Sequence, residues 1–379
     1  MESLTREFQI FVKPVGAHCN MNCRYCYYLK KQKLYPGGFS VMTDAVLENY
    51  IMQHIEASTE ELISFSWHGG EPMLAGIDFY RKACELQKKY KPEGRKIING
   101  IQTNGTLINE GWCSLFSEEN FMVGISIDGP GDLHNRMRIF AKGEPSLGRV
   151  IQGYEMLQGY GITNEILCVV SSLNVRFPLV VYDFFRQIEA KYITFLPLVE
   201  KRPGAVSGVS RYTVPSLEFG VFLSTIFDEW LAKDIGRIKI QIFEEALRPA
   251  FRQDHTLCIF KENCGGVPVL EHNGDFYSCD HYVDNEHFAG NISKGTIAGF
   301  LDSRAQSEFG KKKSLSLPEF CRVCEVKEMC NGECPKNRFI KTPEGEPGLN
   351  YLCSGYRHFF NHCLPFIDTL RKASALFSC

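Results

Sequence analysis

HCNMNCRYCYY, residues 18–28, decides how the rest of this chain is read. Cys19, Cys23 and Cys26 fall on one short stretch in the spacing C-x3-C-x2-C, and Tyr25 precedes the last of them. Thiolates this close together can hold three irons of a cubane [4Fe–4S] cluster. The fourth iron is then open to an outside ligand, by the logic that leaves a catalytic zinc site one protein ligand short. Taken alone, the spacing also fits a structural zinc or ordinary buried thiols.

Cysteine usage elsewhere strengthens the metal reading. The chain of 379 residues has 16 cysteines, eight of them between residues 258 and 353. Cys84, Cys113, Cys168, Cys363 and Cys379 lie outside both groups. In a reducing compartment such cysteines serve metal or redox chemistry rather than disulfides. The opening MESLTREFQIF has no apolar signal core, and no apolar run reaches the roughly 18 residues of a membrane span. A cytoplasmic location and no membrane contact are therefore expected. Lys+Arg is 42 and Asp+Glu is 44, a balance that argues against nucleic acid as a partner. Hydrophobic residues make up 44%, enough for a large core.

Organisation changes along the chain. Over residues 1–235 strand-like runs (8–14, 62–70, 96–105, 121–129, 165–172, 192–198) alternate with helical patterns. One helix starts at a Thr43 cap and puts Val46, Tyr50, Ile51 and His54 on one side. Such alternation predicts an α/β fold with a parallel sheet wrapped by helices, whose chemistry gathers at the C-terminal strand ends. Those ends read KP, HGGEP, QTNG and SIDGP. The segment 216–233 carries Phe219, Phe222, Leu223, Ile226, Phe227 and Trp230 at helical spacing. Residues 236–256 read as a connecting helical segment, 257–355 as a loop-rich, cysteine-stapled domain, and 356–379 as a C-terminal helix. Cys113 and Cys168 sit in apolar patterns and are expected in the core.

C-x3-C-x-aromatic-C just after a first strand resembles the radical S-adenosylmethionine (SAM) superfamily. The resemblance implies a partial (β/α)6 TIM-like barrel in which SAM chelates the open iron and is cleaved to a 5′-deoxyadenosyl radical. Gly69, Gly70 and Glu71 look like that family's GGE motif at the SAM amino group. Ser126 and Asp128 resemble positions facing the SAM carboxylate, ribose or substrate. Tyr25, Gln102, Thr103, Asn104 and Arg138 fall near the same cofactor on this reading, although a solvated arginine is the commoner state of Arg138.

The later cysteines read C258-x5-C264-x14-C279, then C321-x2-C324-x5-C330-x3-C334, then Cys353. C-x2-C alone favours zinc. The full pattern, with Gly274 before Cys279, instead resembles the SPASM domain of peptide-modifying radical SAM enzymes. That resemblance implies two auxiliary [4Fe–4S] clusters, three clusters in all. It assigns Cys258, Cys264, Cys279 and Cys334 to the first auxiliary cluster and Cys321, Cys324, Cys330 and Cys353 to the second.

CDHYV (279–283), GNI (290–292) and IQTNGTL (101–107) narrow the resemblance to the anaerobic sulfatase-maturating enzymes. These oxidise a cysteine or serine of an unfolded sulfatase segment to Cα-formylglycine. The resemblance makes Asp280 the general base, beside a cluster ligand that accepts the electron; an Asp at that place equally caps a turn. It sets Tyr28 and His68 to orient the target side chain, yet the family often has Gln where His68 stands, and His68 equally fits a hydrogen-bonded structural histidine. It further implies an external donor of flavodoxin or ferredoxin type. Nothing demands an oligomer, so a monomer is expected. The competing readings are another SPASM-type peptide modifier, forming thioether or carbon–carbon crosslinks, and a non-enzymatic iron–sulfur or zinc protein. Only about seven residues precede the first strand, short of the extra N-terminal domain many such modifiers carry.

Overall fold

The computed structural model describes residues 7–202, 204–205 and 208–377, so Cys379 lies outside the described residues. All six expected strands are present: β1 (Phe11–Lys13), β2 (Leu62–Trp67), β3 (Lys96–Thr103), β4 (Phe121–Ser126), β5 (Asn164–Val170) and β6 (Tyr192–Pro197). Further along lie β7 (Lys239–Ile240), β8 (Val269–Glu271), β9 (Asp275–Tyr277) and β10 (Phe288–Asn291). The chain forms two compact units, residues 1–126, 135–165 and 265–310 in the first and 127–134, 166–264 and 311–379 in the second.

In the first unit the strand order is β10-β9-β8-β1-β2-β3-β4. From β8 to β4 every pairing is parallel, and the β8-β9-β10 ladder is antiparallel. Parallel neighbours need crossover connections. The helices Asp44–Ala57, Ile77–Tyr90 and Glu110–Glu118 supply them. Thr43 caps the first of these, its Oγ1 accepting from Val46 N at 3.3 Å. That helix buries Leu47, Tyr50, Ile51 and His54, while Val46 is only half-buried; Leu47 takes the inner place expected of Val46. Trp67 is wholly buried and donates from Nε1 to Asn99 Oδ1 at 2.9 Å, so its polar atom is satisfied inside the core. Cys84 and Cys113 are core residues here.

Strand β8 belongs to the stretch read from sequence as loop-rich. It pairs with β1 in the register Phe11↔Val269, Val12↔Leu270, Lys13↔Glu271. This register brings Glu271 and the following Cys279–Asp280 turn to the C-terminal end of β1.

The second unit holds the parallel β5-β6-β7 set. Its longest packing is between the helices Ser216–Lys233 and Cys353–Phe377. A Cβ on Gly220 would lie 2.4 Å from Gly355 O, and one on Gly355 would lie 2.0 Å from Ser216 O. Both helices therefore need glycine where their backbones meet. Phe219, Phe222, Leu223, Ile226, Phe227 and Trp230 are buried, as the spacing predicts. Each such side chain contributes about 1.5–3 kcal/mol through burial. Cys168 and Cys363 are also interior. One helix, Arg304–Leu315, was not foreseen: its charged RAQSEFGKKKSL reads as loop in sequence.

Candidate functional site

The cysteine loop follows β1 and rests on the turn after β2. Gly70 N donates to Gly16 O at 2.9 Å and Glu71 N to His18 O at 2.8 Å. A Cβ on Gly70 would lie 1.9 Å from His18 O, and Gly69 has φ +138°. The glycine pair is thus required for the cysteine loop's close approach. Glu71 is wholly buried; Oε1 accepts from Met73 N at 3.1 Å and Thr103 Oγ1 at 2.8 Å, and Oε2 from Asn104 N at 2.8 Å. Burial raises its pKa to about 7 against the pull of these hydrogen bonds. Glu71 accordingly stitches the end of β2 to the end of β3.

Polar side chains hold the loop on the Cys19 side, and Cys26 packs against the apolar cluster of Ala17, Tyr28, Val269, Tyr277 and Val283. Asn104 Nδ2 donates to Asn20 Oδ1 at 2.8 Å and reaches Cys19 Sγ at 3.7 Å, and Asn20 Nδ2 donates to Thr106 Oγ1 at 2.8 Å. Arg138, 6% exposed, is not solvated: it donates to Tyr25 Oη at 2.6 Å. Gln102 Nε2 donates to Ser126 Oγ at 3.1 Å. Asp128 belongs to the second unit, where it is buried and accepts from Val169 N at 3.0 Å. Cys19 interacts electrostatically with both Cys23 and Cys26. Burial, then Glu71, pushes Cys19 up to about 12. Such a thiol becomes a thiolate when iron supplies positive charge, so the loop fits a cluster with three protein ligands.

Beside the loop, in the same unit, stands a buried constellation in which the expected Asp280, Tyr28 and His68 meet Lys13, Tyr27 and Glu271, which the sequence did not point to. Lys13, 2% exposed, pairs with Asp280 Oδ1 at 2.5 Å and lies 4.3 Å over the Tyr28 ring. Tyr27 Oη donates to Asp280 Oδ2, and Tyr28 Oη donates to Glu271 Oε1. Burial alone would raise the Asp280 pKa. The Lys13 ammonium, His281 and the Tyr27 hydroxyl reverse that and hold it well below the usual carboxylate range. His68 stacks on Phe11 with centroids 3.9 Å apart. Burial, then the nearby Lys13 charge, lowers its pKa to about 3, so the ring is neutral. The available signal for Lys13 was a lysine at the C-terminal end of the first strand.

In the second unit Cys321, Cys324, Cys330 and Cys353 line one pocket, together with Phe320, Val326 and Gly332. Cys353 interacts with Cys321 and Cys324, and Cys330 with Cys353 and Cys321. Four thiols around one pocket fit a cluster with every iron ligated. Asn331, Gly332 and Glu333 all have positive φ (45°, 68° and 49°), a tight turn that carries the chain from Cys330 to Cys334. Cys258 and Cys264 also lie in this unit and interact with each other. Glu245, wholly buried and also missed in the sequence, fixes the approach to Cys258: it accepts from His255 Nδ1 at 2.7 Å and from Thr256 N and Leu257 N at 3.0 Å each. Cys279 lies in the first unit, next to Asp280.

Comparison with known proteins agrees with this geometry. Residues 14–175 match the radical SAM superfamily and residues 263–325 an iron–sulfur cluster-binding domain, SPASM. The serine-type anaerobic sulfatase-maturating enzyme of Bacteroides thetaiotaomicron is 43% identical, over 96% of this chain and 91% of that protein. The cysteine-type enzyme of Clostridium perfringens (strain 13) is 31% identical, over 94% and 96%. The solved structure of native anSMEcpe with bound AdoMet and Cp18Cys peptide superposes with a TM-score of 0.87 at 30% identity, covering 96% of this chain and 99% of that one. This chain belongs to the anaerobic sulfatase-maturating enzymes, radical SAM enzymes with an iron–sulfur SPASM domain.

Proposed function

We propose that the enzyme oxidises a serine or cysteine of an unfolded sulfatase segment to Cα-formylglycine. The greater identity to the serine-type relative makes serine the first target to test. SAM and the cluster on Cys19, Cys23 and Cys26 would supply a 5′-deoxyadenosyl radical that takes hydrogen from the target Cβ, and the auxiliary clusters would supply the acceptor for one electron. The residues of the chain have the remaining tasks. The Cβ radical must lose its hydroxyl or thiol proton and one electron to become the aldehyde or thioaldehyde. Asp280 takes that proton.

The observation that carries this role is the Lys13–Asp280–Tyr27 arrangement directly after Cys279. Lys13 and Tyr27 keep Asp280 ionised and aimed. An always-ionised carboxylate is a weak base, and simultaneous electron loss from the substrate compensates for that weakness. Arg138, Tyr25, Gln102, Ser126 and Asn104 are proposed to bind SAM, with Gly69, Gly70 and Glu71 shaping the cradle; Tyr28, His68 and Asp128 are proposed to face the target. The reading also includes three [4Fe–4S] clusters with the cysteine sets named above, an external flavodoxin- or ferredoxin-type donor, a monomer and a cytoplasmic setting. Among the described residues no helix is long and apolar enough to cross a membrane.

The test is anaerobic incubation with SAM, reductant and a sulfatase-motif peptide, followed by mass spectrometry. Loss of two hydrogens from serine, or exchange of the thiol for an aldehyde, is expected. Asp280→Asn should retain iron and SAM cleavage while formylglycine formation drops by at least about 100-fold, the scale of a lost general base. Undiminished maturation by that variant would remove Asp280 from the mechanism.

A further inference from the structure

The second unit contains two cations held by carbonyls rather than carboxylates. Lys313, 1% exposed, donates from Nζ to the backbone carbonyls of Cys258 at 3.0 Å, Ile259 at 2.7 Å and Lys261. Three acceptors use all three hydrogens of an ammonium, whereas a neutral amine has only two, so Lys313 is charged. Arg338 likewise donates to carbonyls: to Gly332 at 2.8 Å, Lys313 at 2.6 Å, Asn331 at 2.9 Å and Glu333 at 3.1 Å. Among the described residues neither forms an ion pair. The Glu333 carboxylate is taken up by Asn337 at 3.1 Å and Asn350 at 2.6 Å.

Burying a positive charge without a negative neighbour is costly. Carbonyl dipoles solvate these two groups but leave the net charge. What faces them is mainly sulfur: Lys313 lies within electrostatic reach of Cys264, Cys258 and Cys334, and the half-buried Arg338 of Cys321, Cys330 and Cys264, then of the Glu333 carboxylate. Thiolate-ligated clusters would supply the negative charge that Lys313 lacks and would add to that of Glu333 beside Arg338. Their potentials respond to net charge and to nearby hydrogen bonds.

We propose that Lys313 and Arg338 are built-in counter-charges of the auxiliary clusters, Lys313 serving the Cys258, Cys264 and Cys334 set and Arg338 serving thiols of both sets. A fixed cation favours the more negative, reduced cluster, and so raises the potential at which the cluster takes up an electron. This rests on the reading of the auxiliary clusters as the electron acceptor. Both residues are positioning residues, since neither is assigned to touch substrate or iron.

The experiment uses the full chain carrying Cys19→Ala, Cys23→Ala and Cys26→Ala, so that only auxiliary clusters remain. Iron content and EPR-monitored redox titration are compared for Lys313, Lys313→Met and Lys313→Arg. With full iron, Lys313→Met should shift a midpoint to more negative potential and Lys313→Arg should restore it. Loss of iron by the Met variant alone also supports the charge role. An unshifted midpoint in Lys313→Met, an equal shift in both variants, or loss of iron by both would overturn it, because a mere loop brace is indifferent to charge. No sulfatase peptide enters these assays, so their outcome stands apart from that of formylglycine formation.

Discussion

The two cysteine sites that the structure assembles within single units differ in what surrounds the sulfur. Cys19, Cys23 and Cys26 share a loop with Asn20, which Asn104 and Thr106 hold, and with Tyr25, which Arg138 holds, while Cys26 packs on the apolar cluster of Ala17, Tyr28, Val269, Tyr277 and Val283. Cys321, Cys324, Cys330 and Cys353 bring four thiols to one pocket lined also by Phe320, Val326, Gly332, Lys327 and Arg357. Three thiols leave one iron of a cubane for an outside ligand; four thiols leave none. On the proposed function, the contrast separates a site for chemistry on a bound molecule from one suited to holding an electron.

The most drastic way to break this comparison is to remove one thiol from each site. Cys26→Ala should abolish SAM cleavage and maturation, with roughly a third of the iron lost on the three-cubane assignment. Cys330→Ala should lose a similar share of iron and lose maturation, yet still cleave SAM. Iron analysis together with 5′-deoxyadenosine release checks both, and equal loss of cleavage in the two variants would erase the distinction.

Gly70→Ala probes the open site without touching a ligand. Its Cβ would collide with His18 O at 1.9 Å, so the cysteine loop must move. SAM cleavage should fall by more than tenfold while the iron of the second unit stays, as Mössbauer or EPR spectra of the purified variant would show. An unchanged cleavage rate would mean that the glycine pair is dispensable.

A smaller effect is expected from Lys13→Met. Breaking a buried pair leaves Asp280 without its ammonium and costs about 3–5 kcal/mol. Thermal melts should show lowered stability and maturation should slow, with SAM cleavage retained. A variant as stable as the parent would mean that Lys13 and Asp280 are not a buried pair in solution.

Local pattern made the six parallel strands and the amphipathic helix Ser216–Lys233 legible in the sequence, and cysteine spacing drew attention to residues 19–26 and 258–353. Period and spacing are local quantities, and these features depend on little else. Lys13 and Glu245 were not legible. Tyr28 and Glu271 meet across 243 residues of sequence, and they do so because β8 pairs with β1. That pairing follows from three short residues of strand inside a turn-rich stretch, too brief for period to reveal. Helix Arg304–Leu315 was hidden by its lysines, which read as a solvated loop although Lys313 points inward. Arg138 shows the same limit: an arginine in isolation reads as surface, and here Tyr25 and burial hold it. Adjacent motif residues also need not share a unit, as Ser126 and Asp128 demonstrate.

The most direct test of the open-versus-closed distinction is the EPR spectrum of the anaerobically reduced enzyme before and after SAM is added, taken in Cys26→Ala and in Cys330→Ala. SAM should perturb the reduced-cluster signal of Cys330→Ala, whose three-cysteine loop is intact, and leave that of Cys26→Ala unchanged. A SAM-dependent change in Cys26→Ala, or its absence from Cys330→Ala, would contradict the assignment of the loop at Cys19, Cys23 and Cys26 as the place where SAM binds iron.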